Sequence, residues 1–431
     1  MTSPQTPLPE ESRKADKYIW AIYIALLAIS IVELYSASSR EVQASNIFGP
    51  VLRHGIMLLM GLGIAIGLSR IKFKWLIPIT PAVVIFAVCI AFYVLFKGQI
   101  INGARRSMNF FGIGLQSAEL LKLAVVLFIA YVVAFNQERK GVTTKGVIYC
   151  AAFVLLCSGL LFSQGLTNTL LLMSISGAMM LIGGIQFKKL GYVLLAYLLI
   201  GGAGVLYKTS HSTQSDEEVQ LIAETGMNAA GEKATFDRSG TQMSRIKRWL
   251  GIGDSLPKYQ QKITASNRQE MYSYMAQANG SWHGVLPGNS RETARLPLAF
   301  SDYIYAIIVE DWGFLGGFLL LALYLCLLGR AGVIAAKCRS AFPALLILGM
   351  AVMVVLQALF HMAIVTGLAP VSGQPLPLIS KGGSSILVTS VAFGIMLSVS
   401  RTAAYKDDDT QEINAEIASL PSQLTAENPL S

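Results

Sequence analysis

Asp302 stands at the mouth of a long apolar run, where LPLAFSDYIYAIIVEDWGFLGG (296–317) leaves a polar loop. Glu310 and Asp311 follow in the same run. A charge at the centre of a membrane helix costs about 2.5–3.5 kcal/mol on insertion scales, so such carboxyls need a polar cavity, a partner or a chemical task. Asp302 reads in two ways: as the cap of the helix behind it, a place Ser301 would fill equally, or as a general base. QSAELLKLAVVLF holds a second constellation. Glu119 and Lys122 are three apart and share a helix face, either as an ion pair or as lining of the same cavity. Arg53, Arg105 and Arg106 approach that side too, with snorkelling as the plain alternative.

A third stretch, PVSGQPLPLISKGGSSILV (370–388), joins two apolar runs. Pro370, Pro375 and Pro377 exclude regular helix there, and non-helical backbone at membrane depth survives only where protein or water covers it. Lys381, the glycines behind it and Ser384 or Ser385 at the next helix start make either an anion site or a re-entrant turn with ordinary capping. His361 reads as a packed hydrogen-bonding residue. The GxG at 251–253 is too weak to use, and no His, Cys or acidic spacing suggests zinc.

The elements that must position these groups are helices in a bilayer. Charged residues make up 14% and apolar residues 53% of the 431-residue chain, against roughly 25% charge in soluble domains. Apolar runs long enough to cross a membrane fall near 18–37, 50–69, 75–96, 117–135, 146–163, 168–186, 190–207, 302–328, 341–366 and 383–400. The expectation is an all-α polytopic integral membrane protein of about ten transmembrane helices. The third, with Pro78 and Pro81, is the weakest by pattern. A cytoplasmic tail (1–17) precedes spans one to seven (18–207). A large extracytoplasmic loop (208–301), spans eight to ten (302–401) and a disordered acidic cytoplasmic tail (402–431) follow.

Basic residues set the orientation. With both termini cytoplasmic, the inner side collects Arg13, Lys14, Lys17, Arg70, Lys72, Lys74, Lys188, Lys189, Arg330, Lys337, Arg339 and Arg401, among others. The net charge of +9 is then a topology signal, and nucleic acid is not expected as a partner. The first apolar run exceeds a signal peptide's 7–15 residue core, so it reads as an uncleaved span. No cysteine lies in the outer loop, so no disulfide framework is expected. Within that loop, residues up to about 240 read as weakly ordered. MSRIKRWLGI reads as an amphipathic helix on the membrane surface, and ANGSWHGVLPGNS as a shaped turn-rich loop.

Together these segments resemble the SEDS family of polytopic glycosyltransferases, which includes FtsW, RodA and SpoVE. NGARRSMNFFGIGLQSAELLKLA is similar to the family's NGA(K/R)RW…QPSE…K. LPLAFSDYIYAIIVEDWGFLGG is similar to LPEAHTDFIFA…EELGF, and PVSGQPLPLISKGGSSILV to P.TG..LP.ISYGGSS. The resemblance places the family's essential outer acid on Asp302, its fourth-span Glu and Lys on Glu119 and Lys122, and its second-span arginine on Arg53. Departures are visible: Ser117 and Ala118 replace Pro and Ser, Leu298 and Phe300 replace Glu and His, and Lys381 replaces Tyr. His361 stands for a common Asn, and SQGLTNT replaces an acidic PD(L/F)GT-like segment. The GNS at 288–290 is more similar to the FtsW branch than to RodA, which favours septal wall synthesis in division.

The resemblance implies a peptidoglycan glycosyltransferase polymerising lipid II, the undecaprenyl-diphosphate-linked disaccharide–pentapeptide, on the outer face of the bacterial inner membrane. Asp302 would be the catalytic residue. Arg53, Arg105, Glu119, Lys122, Lys381, Ser384 and Ser385 would bind substrate. The resemblance leaves room for a divalent cation, Mg²⁺ or Mn²⁺, and implies no organic cofactor. It implies as partners the growing glycan chain, a class B penicillin-binding protein transpeptidase and other divisome proteins. The alternatives are a lipid II flippase or transporter, whose broken helices would suit a polar cavity, a RodA-like elongation polymerase, and a scaffold.

Overall fold

The computed structural model describes residues 14–37, 48–101, 104–110, 113–138, 141–162, 164–197, 245–252, 260–264, 267–296, 299–403, 405, 410–421, 424 and 429–430. Helices α1 (Lys17–Ala37), α2 (Phe48–Arg70) and α3 (Leu76–Lys97) lead into strands β1 (Gln99–Ile101), β2 (Ala104–Phe110) and β3 (Ile113–Gln116). Then come α4 (Ser117–Phe135), the short pair β4 (Gln137–Glu138) and β5 (Gly141–Val142), α5 (Thr144–Phe162), α6 (Leu166–Ile182) and α7, described over 187–197. After a helical turn at 245–249 follow α8 (Arg268–Gly280), α9 (Ile304–Lys337), α10 (Ala341–Val365), α11 (Gly383–Thr402) and α12 (Thr410–Ser419). Eight of the described helices are long and apolar enough to cross a membrane, with α6 a shorter apolar one. Pro78 and Pro81 do not break α3. Pro78 lies in the first turn, where its missing N–H has no intrahelical partner to lose.

Helices α4, α10 and α11 occupy the centre, while α2 and α3 are largely exposed. Hydropathy does not order them this way, since α3 is the most apolar and α11 among the least. Lipid is as apolar as leucine, so association rests on close packing of small residues rather than on hydrophobicity. A Cβ on Gly61 of α2 would meet the Ser390 side chain of α11, and one on Gly394 would lie 2.7 Å from Leu68 Cβ.

The bundle has two unlike ends. At one, Asp16 caps α1 and receives Arg330 Nε at 3.0 Å, while its own amide donates to Ser400 Oγ at 3.1 Å. Arg70, Lys72, Lys74, Lys337, Arg339 and Arg401 gather at the same helix ends. The tail expected to be disordered contributes α12 here. Ser340 Oγ donates to Glu416 Oε1 at 2.6 Å, and Leu424 is buried. Its acidic composition hid three apolar anchors, Ile417, Leu420 and Leu424, at helical spacing.

The opposite end carries β1–β3, α8 and the loop 366–382. β2 pairs antiparallel with both neighbours, Ile100 facing Arg105 and Ser107 facing Gln116. Helix α9 begins at Ile304 rather than 302 and runs to Lys337, broken at Gly313 (φ 70, ψ −174). That conformation is open essentially only to glycine. The break redirects four backbone groups. Phe314 N–H donates to Ser281 O at 2.8 Å and Leu315 N–H to Trp282 O at 3.4 Å; the freed carbonyls of Glu310 and Asp311 accept from Val285 N and Leu286 N, both at 2.9 Å.

Buried Glu310 fastens the same loop through Ser290 Oγ (2.5 Å), Asn279 Nδ2 (3.2 Å) and Arg291 N (3.1 Å). Buried Asp311 accepts from Ser36 Oγ, and buried Glu33 from Trp312 Nε1 at 2.7 Å. These carboxyls therefore have partners within the fold. Replacing Gly313 by Ala places a Cβ against the Trp282 carbonyl at a forbidden φ/ψ, a strain of about 1–3 kcal/mol. The expected outcome is a lower unfolding midpoint in detergent and faster proteolysis within 281–291 than in the parent protein.

Candidate active site

Asp302 lies two residues before α9, whose N-cap is Tyr303 with no side-chain capping bond. The capping reading therefore does not hold. The half-buried side chain is pressed against backbone: a Cβ on Gly373 would sit 2.7 Å from Asp302 Oδ2. Burial raises its carboxyl above the usual range, opposed by a Ser301 hydrogen bond and by the charges of Arg106 and Arg245. Asp302 is thus a carboxylate seated against glycine backbone and faced by two guanidiniums.

Arg106 arrives on β2, in the NGARRS segment that composition gave no reason to fold into a sheet. The Arg106 charge is one of the two that act on Asp302. Arg105 lies on the same strand, its side chain outside the described residues. Arg245 arrives on the turn 245–249, where Trp249 Nε1 donates to Gly367 O at 2.9 Å and Arg245 Nη1 to Val371 O at 3.4 Å. The segment expected on the membrane surface is therefore seated on the protein. Arg245 had the signal of a basic residue within an amphipathic stretch, but nothing in its spacing pointed to Asp302.

Buried polar atoms with spare hydrogen-bonding capacity gather near this carboxylate. Among the described residues Arg106 Nε, Tyr303 Oη, Ser372 Oγ and Gln374 Oε1 have no hydrogen-bond partner. Such groups are costly unless a ligand or water satisfies them.

The other candidates fall elsewhere. Lys122 Nζ donates to Glu119 Oε1 at 2.8 Å and to Gln357 Oε1 at 2.6 Å, with both charged residues essentially sealed from solvent. Gln357, unnoticed in the sequence because one amide in an apolar helix looks incidental, also donates to Pro375 O at 3.2 Å and Ser385 Oγ at 3.4 Å. The pair ties α4 and α10 to the 366–382 loop instead of lining the cavity. Ser384 and Ser385 are buried, and α11 starts from Gly382 with no side-chain cap. Neither serine caps the helix, and Ser385 Oγ accepts from Gln357. Arg53 is exposed on α2, while its neighbour His54 turns inward to Ser30 Oγ at 2.9 Å. Lys381 lies at the site's edge, its Nζ 4.4 Å from the centre of the Phe300 ring and its amide donating to Phe300 O at 2.9 Å.

Among the described residues no group of three His, Cys, Asp or Glu side chains could hold a metal ion. A carboxylate faced by two guanidiniums does not fit a resident Mg²⁺ or Mn²⁺. The cysteines are all free.

The sequence profile of the FtsW, RodA and SpoVE family, described as cell cycle proteins, matches residues 16–405. A probable peptidoglycan glycosyltransferase FtsW of Polynucleobacter necessarius is 28% identical, over 88% of this chain and 84% of its own. The rod shape determining protein RodA of Thermus thermophilus has a similar fold at 21% identity, with a TM-score of 0.60 over 91% of this chain and 98% of its own. A chain from a structure described as a peptidoglycan synthase complex that coordinates polymerization and crosslinking gives 0.67 at 21% identity, over 90% and 98%.

Breaking a buried ion pair by removing one partner costs about 3–5 kcal/mol, because the other charge is stranded. Lys122→Met is therefore expected to lower the unfolding midpoint sharply. Adding Glu119→Gln should restore much of the loss, as read by thermal unfolding in detergent.

Proposed function

As the chain belongs to the FtsW, RodA and SpoVE family, a multi-pass inner-membrane glycosyltransferase family of peptidoglycan synthesis, we propose that Asp302 is the general base with which it polymerises lipid II. One observation carries this: a carboxylate seated against the Gly373 backbone at the start of α9 and acted on by the charges of Arg106 and Arg245. Basic residues crowd the opposite end of the bundle, which by the positive-inside rule supports a reading with both termini in the cytoplasm and Asp302 outside. No nucleotide sugar is available there, so the donor has to arrive already activated on a membrane lipid.

In the proposed step the acceptor sugar hydroxyl attacks the anomeric carbon of the donor. The new glycosidic bond forms as the bond to the lipid diphosphate breaks. Asp302 takes the hydroxyl proton, and the electron pair leaves on the diphosphate. A glycosidase needs a second carboxyl to protonate its leaving group; a diphosphate needs positive charge instead. The reading gives that role to Arg106 and Arg245, whose charges act on Asp302. They replace Lys122 and Arg53 in this role, one being tied up in the core and the other exposed on α2. Lys381 remains at the rim.

The names of the relatives and the GNS segment favour septal synthesis, with a class B transpeptidase as partner. Placement of a fluorescent fusion at mid-cell tests that role. A flippase would have to present its charged groups to both membrane faces in turn, yet the arginines and Asp302 share one end. Vesicles with lipid II on one face discriminate, since chain growth without translocation excludes transport.

A positioned base is worth typically 10²–10⁴-fold, so purified Asp302→Asn should lose at least about a hundredfold in polymerisation while keeping its unfolding midpoint. The working form is the ionised carboxylate, so the rate falls as pH drops through its raised pKa. Arg245→Gln removes a charge that lowers that pKa. The acidic limb of its pH–rate profile should therefore move to higher pH.

A further inference from the structure

Asp302 owes its seat to main chain, since Gly373 is the neighbour whose missing side chain makes room for Oδ2. Where Gly373 lies therefore decides where the carboxylate lies. The loop that holds it has no helix or strand from 367 to 382, contains three prolines and passes through a left-handed Leu378 (φ 65). Its later part is closed by its own turn, with Leu376 N–H donating to Ser380 Oγ at 2.7 Å. The stretch around Gly373 is instead tied by side chains reaching it from other elements.

The residue after Gly373 is held from two directions. His361 on α10 binds the Gln374 carbonyl through Nδ1 at 2.6 Å, and Gln374 Nε2 donates to Asn168 Oδ1 on α6 at 2.5 Å. The flanking ties are longer: Arg245 to Val371 O at 3.4 Å and Gln357 to Pro375 O at 3.2 Å. His361 and Gln374 are almost wholly buried, and Asn168 is half-buried. Three uncharged polar side chains in an apolar bundle are costly unless bonded to one another. Two of them, Asn168 and His361, fall where the chain departs from the family pattern, on different helices, and they meet through Gln374.

Resting on the reading of Asp302 as base, we infer that His361, Gln374 and Asn168 form a positioning relay that locates Gly373 and thereby the catalytic carboxylate. His361 and Asn168 act through Gln374, one on its carbonyl and the other on its side-chain amide. His361 donates from Nδ1 and so works as the neutral Nδ1–H tautomer, its Nε2 having no hydrogen-bond partner among the described residues. Gln374 is the junction, its carbonyl tied to α10 and its amide to α6.

The test is a pH–rate profile of the full-length protein in detergent, polymerising lipid-diphosphate-linked disaccharide–pentapeptide. The charged and titratable groups facing Asp302 are Arg106 from β2, Arg245 from the turn 245–249, and its neighbour Tyr303; Tyr303 is coupled in turn to Glu270 and Tyr274 of α8. None of these changes in the relay variants. A misplacement of about 1 Å at a reacting group costs up to about a hundredfold. His361→Leu and Asn168→Ala are expected to lower kcat roughly ten- to a hundredfold with KM within about twofold. Loosening Gly373 admits water to the carboxyl and weakens the burial that raises it, so the acidic limb should move to lower pH. His361→Asn, which keeps a donor, should recover most of the rate. Because both variants act through Gln374, their double variant should be little worse than either alone.

A merely structural role would lower the folded fraction and leave the limb in place. Should His361→Leu fail to fold, Asn168→Ala, half-buried in the first turn of α6, carries the same test. Wild-type rates, an unmoved limb or additive losses would overturn the relay. Asp302→Asn in parallel separates the two ideas. An active Asp302→Asn defeats the base itself, whereas an inert one beside relay variants with a wild-type limb defeats the relay alone.

Discussion

Backbone amides and carbonyls inside hydrocarbon have no water to turn to, and each one left unpaired costs several kcal/mol. Everything unusual in this protein sits where the chain leaves the helical conformation yet still satisfies that requirement. At Gly313 the break in α9 frees two donors and two acceptors, and the 281–286 segment supplies a partner for each. In the 366–382 loop, Gln357, His361, Arg245, Trp249 and Tyr324 reach out to carbonyls that no helix can serve. Ser380 Oγ closes the same loop onto Ser301 O at 2.6 Å, next to Asp302.

The site follows from these repairs. Because α9 starts at Ile304 and the loop returns beneath it, a glycine backbone and a carboxylate are forced together. Because β2 and the 245–249 turn close over them, two arginines approach from different parts of the chain. Burial alone would neutralise the carboxyl, and the guanidiniums alone would hold it as an inert salt bridge. Burial raises the carboxyl while the two guanidiniums oppose that rise, the balance that the proposed base role draws on.

The buried Glu119–Lys122 pair shows why charge in a span is ambiguous. Spacing placed both residues on one face, as the structure has them, but the same spacing suits a latch or a binding site. Gln357 decides the matter by taking a further hydrogen of the ammonium. A single amide on a neighbouring helix, far away in sequence, turned apparent site residues into core.

Much of the architecture was legible in the chain. Runs of about twenty apolar residues can satisfy their own backbone only as helices, so eight of the ten expected spans and the broken loop at 370–382 were readable. The sixth is a shorter apolar helix, the seventh (190–207) is described only to 197, and the helix expected from 302 begins at Ile304. Three motifs in order sufficed for the family, and short basic loops for the expected orientation. What only the tertiary structure decided is which groups meet. Lipid and protein interior look alike to an apolar side chain, so hydropathy could not tell central α11 from peripheral α3. For the same reason it could not tell exposed Arg53 from Arg106 at the site. Asn168, Arg245, His361 and Gln374 each look incidental alone; their roles arise from contacts between distant segments, which local pattern does not encode.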